Sequence, residues 1–181
     1  MLHVMRDAPS CAGMVAVVPD HQLAQLNIAL PVEPLTSARL AGFVELLDPV
    51  NAAADAAPGF VWRLQTEDGD ATAVRGFGDD ALIVNMSTWS SLEALGAFVY
   101  GPFHVEVLRR RREWFERMRE PFIVLWWVPA GHRPTVAEAE QRLEQLRANG
   151  PSPDAFTFQR PFPAPGSTEP ARSDDDWFCG V

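Results

Sequence analysis

The chain has 181 residues, 47% of them hydrophobic and 22% charged, with a formal net charge of −9. That length suits one ordinary domain with a core that needs no covalent staples, and the negative charge disfavours nucleic acid and anionic membranes as partners. Cys11 and Cys179 form neither a disulfide framework nor a metal spacing, and no stretch approaches the roughly 20 apolar residues that span a bilayer, so a reducing, cytoplasmic setting is expected.

Residues 1–21 carry no periodicity and predict a flexible N-terminal extension. Its apolar run, Cys11 to Val18, is short for a signal peptide and follows Asp7 and Pro9. Start-site choice alone could account for this segment. From Leu23 to Leu30 alternation predicts a strand, with Ala24, Leu26, Ile28 and Leu30 on one face and Gln25, Asn27 and Ala29 on the other. Pro31 and Pro34 end it. Thr36 or Ser37 caps a helix bearing Leu40, Phe43, Val44 and Leu47. Pro49 is expected to kink or break that helix. The AAADAA run resumes it, and Pro58-Gly59 stops it.

Phe60–Gln65 and Ala81–Ser87 read as strands, the second setting Leu82, Val84 and Met86 against Ile83, Asn85 and Ser87. Ser90 caps a helix carrying Leu92, Leu95 and Phe98. Gly101-Pro102 interrupts it, and a longer helix is expected from about Phe103 to Arg119. Phe122–Val128 is nearly unbroken apolar sequence, as in a central strand buried on both faces. Thr135 and Glu138 make a capping box for a helix over Val136–Ala148. FTFQRPFP then forms an extended arm, and the Pro-, Ser- and acid-rich residues 164–181 predict a disordered tail. The folded domain is therefore expected over 22–163.

This order predicts an α+β fold, a ferredoxin-like βαββαβ unit with a C-terminal helix and arm. Helices should cover one sheet face. A second copy, meeting the first across a two-fold, would cover the other and close a dimeric α/β barrel, so a homodimer is expected. Trp126 and Trp127 would then lie under the partner.

The run from Leu125 to Pro163, LWWVPAGHRPTVAEAEQRLEQLRANGPSPDAFTFQRPFP, resembles the C-terminal half of a bacterial domain-of-unknown-function family of the dimeric α/β-barrel superfamily. LDPVNAAADAAPGFVWRLQTEDGD and NMSTWSSLEALGAFVYGPFHVEVLRRRREWF resemble its middle. The resemblance covers about Gln22 to Pro163. It implies the barrel fold and kinship with antibiotic-biosynthesis monooxygenases, haem-degrading enzymes and chlorite-dismutase relatives. Trp89-Ser-Ser-Leu-Glu-Ala-Leu followed by His104 resembles the strand-helix-His pattern of the monooxygenases. Asn27 falls where some haem-degrading relatives carry a first-strand Asn. The helix around His104 does not match their haem-ligand helix, so no haem ligand is carried over.

Gln25 and Asn27, Arg63 and Gln65, and Asn85 and Ser87 share one sheet face by alternation. Buried together they need mutual bonds or a ligand, and with Trp89 and Tyr100 they would line a small-molecule pocket. His104, titrating near neutrality, and Asn27 are the candidate catalytic residues. The structural alternative for His104 is a helix-start histidine bonded to backbone. Arg109–Arg112 interleave with acids at i,i+4 (Glu106 with Arg110, Arg109 with Glu113, Arg112 with Glu116), the pattern of a solvated, self-paired face and not a nucleic-acid patch. No metal spacing, phosphate loop or nucleophile elbow is present in the sequence. The expected function is a pocket for a small hydrophobic or aromatic molecule, cofactor-free and monooxygenase-like if catalytic, on an aromatic or polyketide-like substrate. The alternatives are a non-catalytic or stress-associated binding module, and a haem-binding protein.

Overall fold

The computed structural model describes residues 20–167 apart from 68, 73 and 75. The expected N-terminal extension up to residue 19, and the tail from residue 168, lie outside the described residues. The elements in chain order are β1 (His21–Ala29), α1 (Ala41–Asp55), β2 (Phe60–Arg63), β3 (Ile83–Trp89), α2 (Leu92–Val99), α3 (Pro102–Trp114), β4 (Ile123–Pro129) and α4 (Val136–Asn149). The strands form one four-stranded antiparallel sheet ordered β2-β3-β1-β4. This is the strand order of a ferredoxin-like βαββαβ unit, here extended by α4 and the arm.

Register and the two-residue period assign the faces. On β1, Gln25 lies opposite Ser87 and Leu125, and Asn27 opposite Asn85 and Ile123. The intervening residues Ala24, Leu26, Ile28, Val84, Met86, Val124, Trp126 and Val128 are each exposed by 2% or less. They pack on Ala139, Leu143 and Leu146 of α4. The mixed face, with Gln25, Asn27, Asn85, Ser87 and Trp89, is turned toward α1 and α3. This reverses the expected sidedness, in which those polar residues met a partner's sheet. The reason is α4, whose apolar stripe already covers the greasier face.

β4 is an edge strand, not a central one. Its burial comes from α4 on one face and the arm on the other. Leu125 and Phe156 exchange backbone bonds at 2.8 Å each, so the arm also pairs with the outer edge of the sheet. The Trp126 indole N–H donates to Glu138 Oε1 at 3.0 Å and that of Trp127 to the Phe162 carbonyl at 2.8 Å. Both tryptophans are thus partnered within their own chain. Thr135 Oγ1 accepts from the Glu138 N–H at 3.2 Å, but the Glu138 carboxylate serves Trp126 and His132, so only half of the expected capping box forms.

Element ends differ for local reasons. α1 runs unbroken through Pro49. Glu45 and Pro49 sit one turn apart on the exposed side, where water can serve the carbonyl that proline leaves unpaired. α1 starts at Ala41 with no side-chain cap; Ser37 caps the turn before it, accepting from Leu40 N–H at 3.4 Å. Ser91, not Ser90, caps α2. α3 stops at Trp114, short of Arg119, because the next backbone is committed elsewhere: Val32 N–H donates to Trp114 O at 2.9 Å and Glu116 N–H to Leu30 O at 2.8 Å. Gly59, at φ 81°, is required where β2 begins. A Cβ there would strike the Ser90 side chain and lie 2.6 Å from Ala94 Cβ.

Leu143 is fully buried between α4 and the sheet. Leu143→Ala is expected to lower unfolding free energy by about 2–5 kcal/mol, measured by urea denaturation.

Candidate functional site

A cavity of about 260 Å³ lies between the mixed sheet face and the helices α1 and α3. α1 contributes Phe43, Leu46, Leu47 and Val50; α3 contributes His104, Val107, Leu108 and Arg111. Both sets follow i, i+3, i+4, i+7, so each helix presents one continuous stripe. The sheet supplies the polar floor. β2 ends at Arg63, opposite Ser87, so Asn85 has no β2 neighbour and stays exposed at the cavity's rim.

Four floor residues form a directional relay. The Trp89 indole N–H donates to Ser87 Oγ at 2.9 Å, Ser87 O–H donates to Gln25 Oε1 at 3.1 Å, and Gln25 Nε2–H donates to Asn27 Oδ1 at 3.0 Å. Its direction is fixed at one end. An indole N–H can only donate, so Ser87 must pass its own proton onward to an acceptor. That sets the Gln25 amide with its NH2 toward Asn27, and so sets the Asn27 oxygen as the next acceptor. The relay ends on the Asn27 amide NH2, which has no protein partner among the described residues and belongs to a residue lining the cavity. Trp89 is itself clamped, 1% exposed, stacked on Phe98 at 5.2 Å and edge-on to Phe60 at 5.3 Å.

His104 enters from the opposite wall. Its Nδ1 lies 3.0 Å from the Val99 carbonyl, which only accepts, so Nδ1 carries a proton. In the neutral ring Nε2 then holds the lone pair. Burial pushes the imidazole below its ordinary 6.5, opposed by the Val99 bond. At neutral pH the residue is an uncharged proton acceptor. The backbone bond expected of a structural histidine is present, and the ring also lines the cavity.

The cavity brings together Gln25, Asn27, Arg63, Asn85, Trp89 and His104. Arg63 is committed to structure: its guanidinium holds Asp55 at 2.8 and 3.2 Å and the Gly69 carbonyl at 2.6 Å, tying β2 to α1 and to the following loop. Tyr100 is not among the lining residues. It is 51% exposed and meets Phe158 edge-on, because α2 ends one residue before it and turns it outward. Gln65 lies beyond the end of β2, exposed and outside the cavity.

The arginine run is not the uniform solvated face expected. Its ion pairs are i,i+3, Arg109 with Glu106 and Arg110 with Glu113, both at 3.2 Å. Arg111 instead joins the cavity wall, its guanidinium carbon 4.2 Å from the centre of the Phe122 ring. The spacing from His104 through Val107 and Leu108 to Arg111 was the available signal. Among the described residues, no three His, Cys, Asp or Glu side chains gather as a metal site, and no helix is long and apolar enough to cross a membrane.

Residues 22–172 match the family described as "Domain of unknown function (DUF3291)", and the chain belongs to that family. No curated protein matches it. Among solved structures it is similar to Rv0793 of Mycobacterium tuberculosis, with 15% identity, 63% of this chain and 99% of that one covered, and a TM-score of 0.41. It is similar to SnoaB of Streptomyces nogalater, a cofactor-independent oxygenase, with 17% identity, 65% and 98% covered, and a TM-score of 0.39. PA3566 of Pseudomonas aeruginosa aligns with 11% identity, 63% and 95% covered, and a TM-score of 0.41. These likenesses assign no function; the cavity has to supply one.

The lowered His104 pKa has a consequence for stability. Below about pH 6.5 the unfolded chain protonates this imidazole while the folded chain resists, so the unfolded state binds more protons. This contribution is full above the unfolded value and is lost as pH falls from about 6.5 toward the folded value. Thermal unfolding at about pH 7.5 and about pH 5.5 should show a lower Tm in acid, and His104→Gln should shrink that difference. An undiminished difference in the variant would show that His104 is not held neutral.

Proposed function

We propose that the cavity binds a small oxygen-bearing aromatic molecule and oxidises it with dioxygen, without a cofactor, as a monooxygenase-like enzyme. The observation that carries this reading is the relay ending on the Asn27 amide NH2, a preset donor in a cavity otherwise walled largely by Phe, Leu and Val. A few oriented polar groups in an apolar enclosure are the usual form of a small-molecule site. The volume, about 260 Å³, lies below the roughly 300–1,000 Å³ of larger ligand pockets. It favours one or two fused rings over an extended polyketide.

Each residue then has a task. His104 Nε2 accepts the ring hydroxyl's proton, since the neutral imidazole is poised for it. Asn27 donates to an oxygen of the same molecule and stabilises negative charge that grows there. Trp89, Ser87 and Gln25 hold that donor in place. The electron-rich phenolate reduces dioxygen. One ring C–H becomes C=O, and the second oxygen atom leaves as water, so phenol plus O2 gives quinone plus water. All the electrons that reduce dioxygen come from the substrate.

One- and two-ring phenols, offered with air to the purified chain, test this with an oxygen electrode. Uptake of one O2 per phenol, with quinone appearing in the spectrum, is the expected result. Asn27→Ala should weaken binding of 2-naphthol about tenfold, the loss of one good hydrogen bond. His104→Gln should leave binding within a few-fold and abolish uptake. Saturable binding without oxygen uptake for every phenol would make the chain a binding module. Absence of binding would remove the reading altogether.

A further inference from the structure

The cavity contains a cation for which the proposed chemistry has no use. α3 turns a stripe of apolar residues toward the sheet, and Arg111 is its one charged member. Two turns separate it from His104, about 10 Å along the helix axis. Arg111 is half-buried. Among the described residues no carboxylate lies within ion-pair distance of it, whereas Arg109 and Arg110 on the same helix are paired. The Phe122 ring packs against it, its centre 4.2 Å from the guanidinium carbon. A ring of this kind supplies no oxygen acceptor to the five N–H donors, so the fork remains suited to a bidentate acceptor.

The remaining charges near the cavity are occupied otherwise. Arg63 is held by Asp55 and Gly69. Asp70 Oδ1 accepts from the Thr72 N–H and hydroxyl at 2.7 Å each. Burial pulls the Arg111 pKa below its ordinary value, in keeping with a guanidinium partly stripped of water. A cation so placed has no compensating carboxylate among the described residues, and a ligand anion would supply one.

We propose that Arg111 is the anchor for a carboxylate on the cavity's ligand, so that the site takes hydroxylated aromatic acids in preference to neutral aromatics. This rests on the small-aromatic reading of the cavity and names its substrate class. The fork of Arg111 clasps the acid at the Phe122 end. The ring spans the apolar middle, and the hydroxyl lies toward His104.

The test compares 6-hydroxy-2-naphthoate with the neutral 6-hydroxy-2-naphthamide by isothermal titration calorimetry on the full chain at about pH 8. The wild-type chain should bind the acid about ten to one hundred times more tightly than the amide, the span expected of a charge-assisted bond. Arg111→Gln should bring the acid to the level of the amide. Arg111→Lys keeps the charge without the fork and should retain part of the preference. Arg112→Gln, outside the cavity, should retain all of it. Equal binding of acid and amide by the wild-type chain overturns this inference and leaves the small-aromatic reading standing. So does a preference that survives in Arg111→Gln or is lost in Arg112→Gln. Binding of neither probe overturns both.

Discussion

The two-residue period of a strand forces Ala24, Leu26 and Ile28 of β1 to the same side of the sheet as Val84, Met86, Val124, Trp126 and Val128, and α4 lies across all of them. The architecture of the site depends on this contact. Because the chain covers its own greasier face, the helices α1 and α3 are left with the mixed face, and the cavity forms inside one chain. A closed barrel of two copies is not needed to enclose it. The arm has a similar role at the margin, where Phe156 pairs with Leu125 and protects an edge strand rich in apolar residues.

A second constraint acts within the cavity. An indole can give a hydrogen bond but not take one, and Trp89 is wedged between Phe60 and Phe98, where its ring cannot reorient without disturbing both. That donor-only end passes its direction through Ser87 and Gln25 to Asn27. The amide NH2 at the end is therefore oriented before any ligand arrives, which is the condition under which a hydrogen-bond donor stabilises developing charge without reorganisation. The Val99 carbonyl does the same for His104, fixing the proton on one nitrogen and the lone pair on the other.

Most of the fold could be read from the residues. Alternation in LAQLNIAL separated Gln25 and Asn27 from Ala24, Leu26 and Ile28, and the structure keeps that separation. That partition together with strand pairing sets Asn27, Asn85 and Trp89 on one sheet face, and His104 joins them only because α3 packs on that face. Arg111 could have been found by tracing the helical stripe from His104. Tyr100 could not have been excluded so easily, since its outward turn depends on α2 ending at Val99. The edge position of β4 was hidden because burial of both faces reads the same whether strands or an arm and a helix supply the cover.

The sequence by itself determined the elements, their order and which side chains share a face, because these depend on local spacing and on nearby caps and breakers. Only the tertiary structure decided which face meets which helix, since α4 and α1 both carry apolar stripes and either could in principle have covered either side. It also decided the direction of the relay, which arises from a contact between residues far apart in the chain, Gln25 with Ser87, and the period of a single segment carries no information about it.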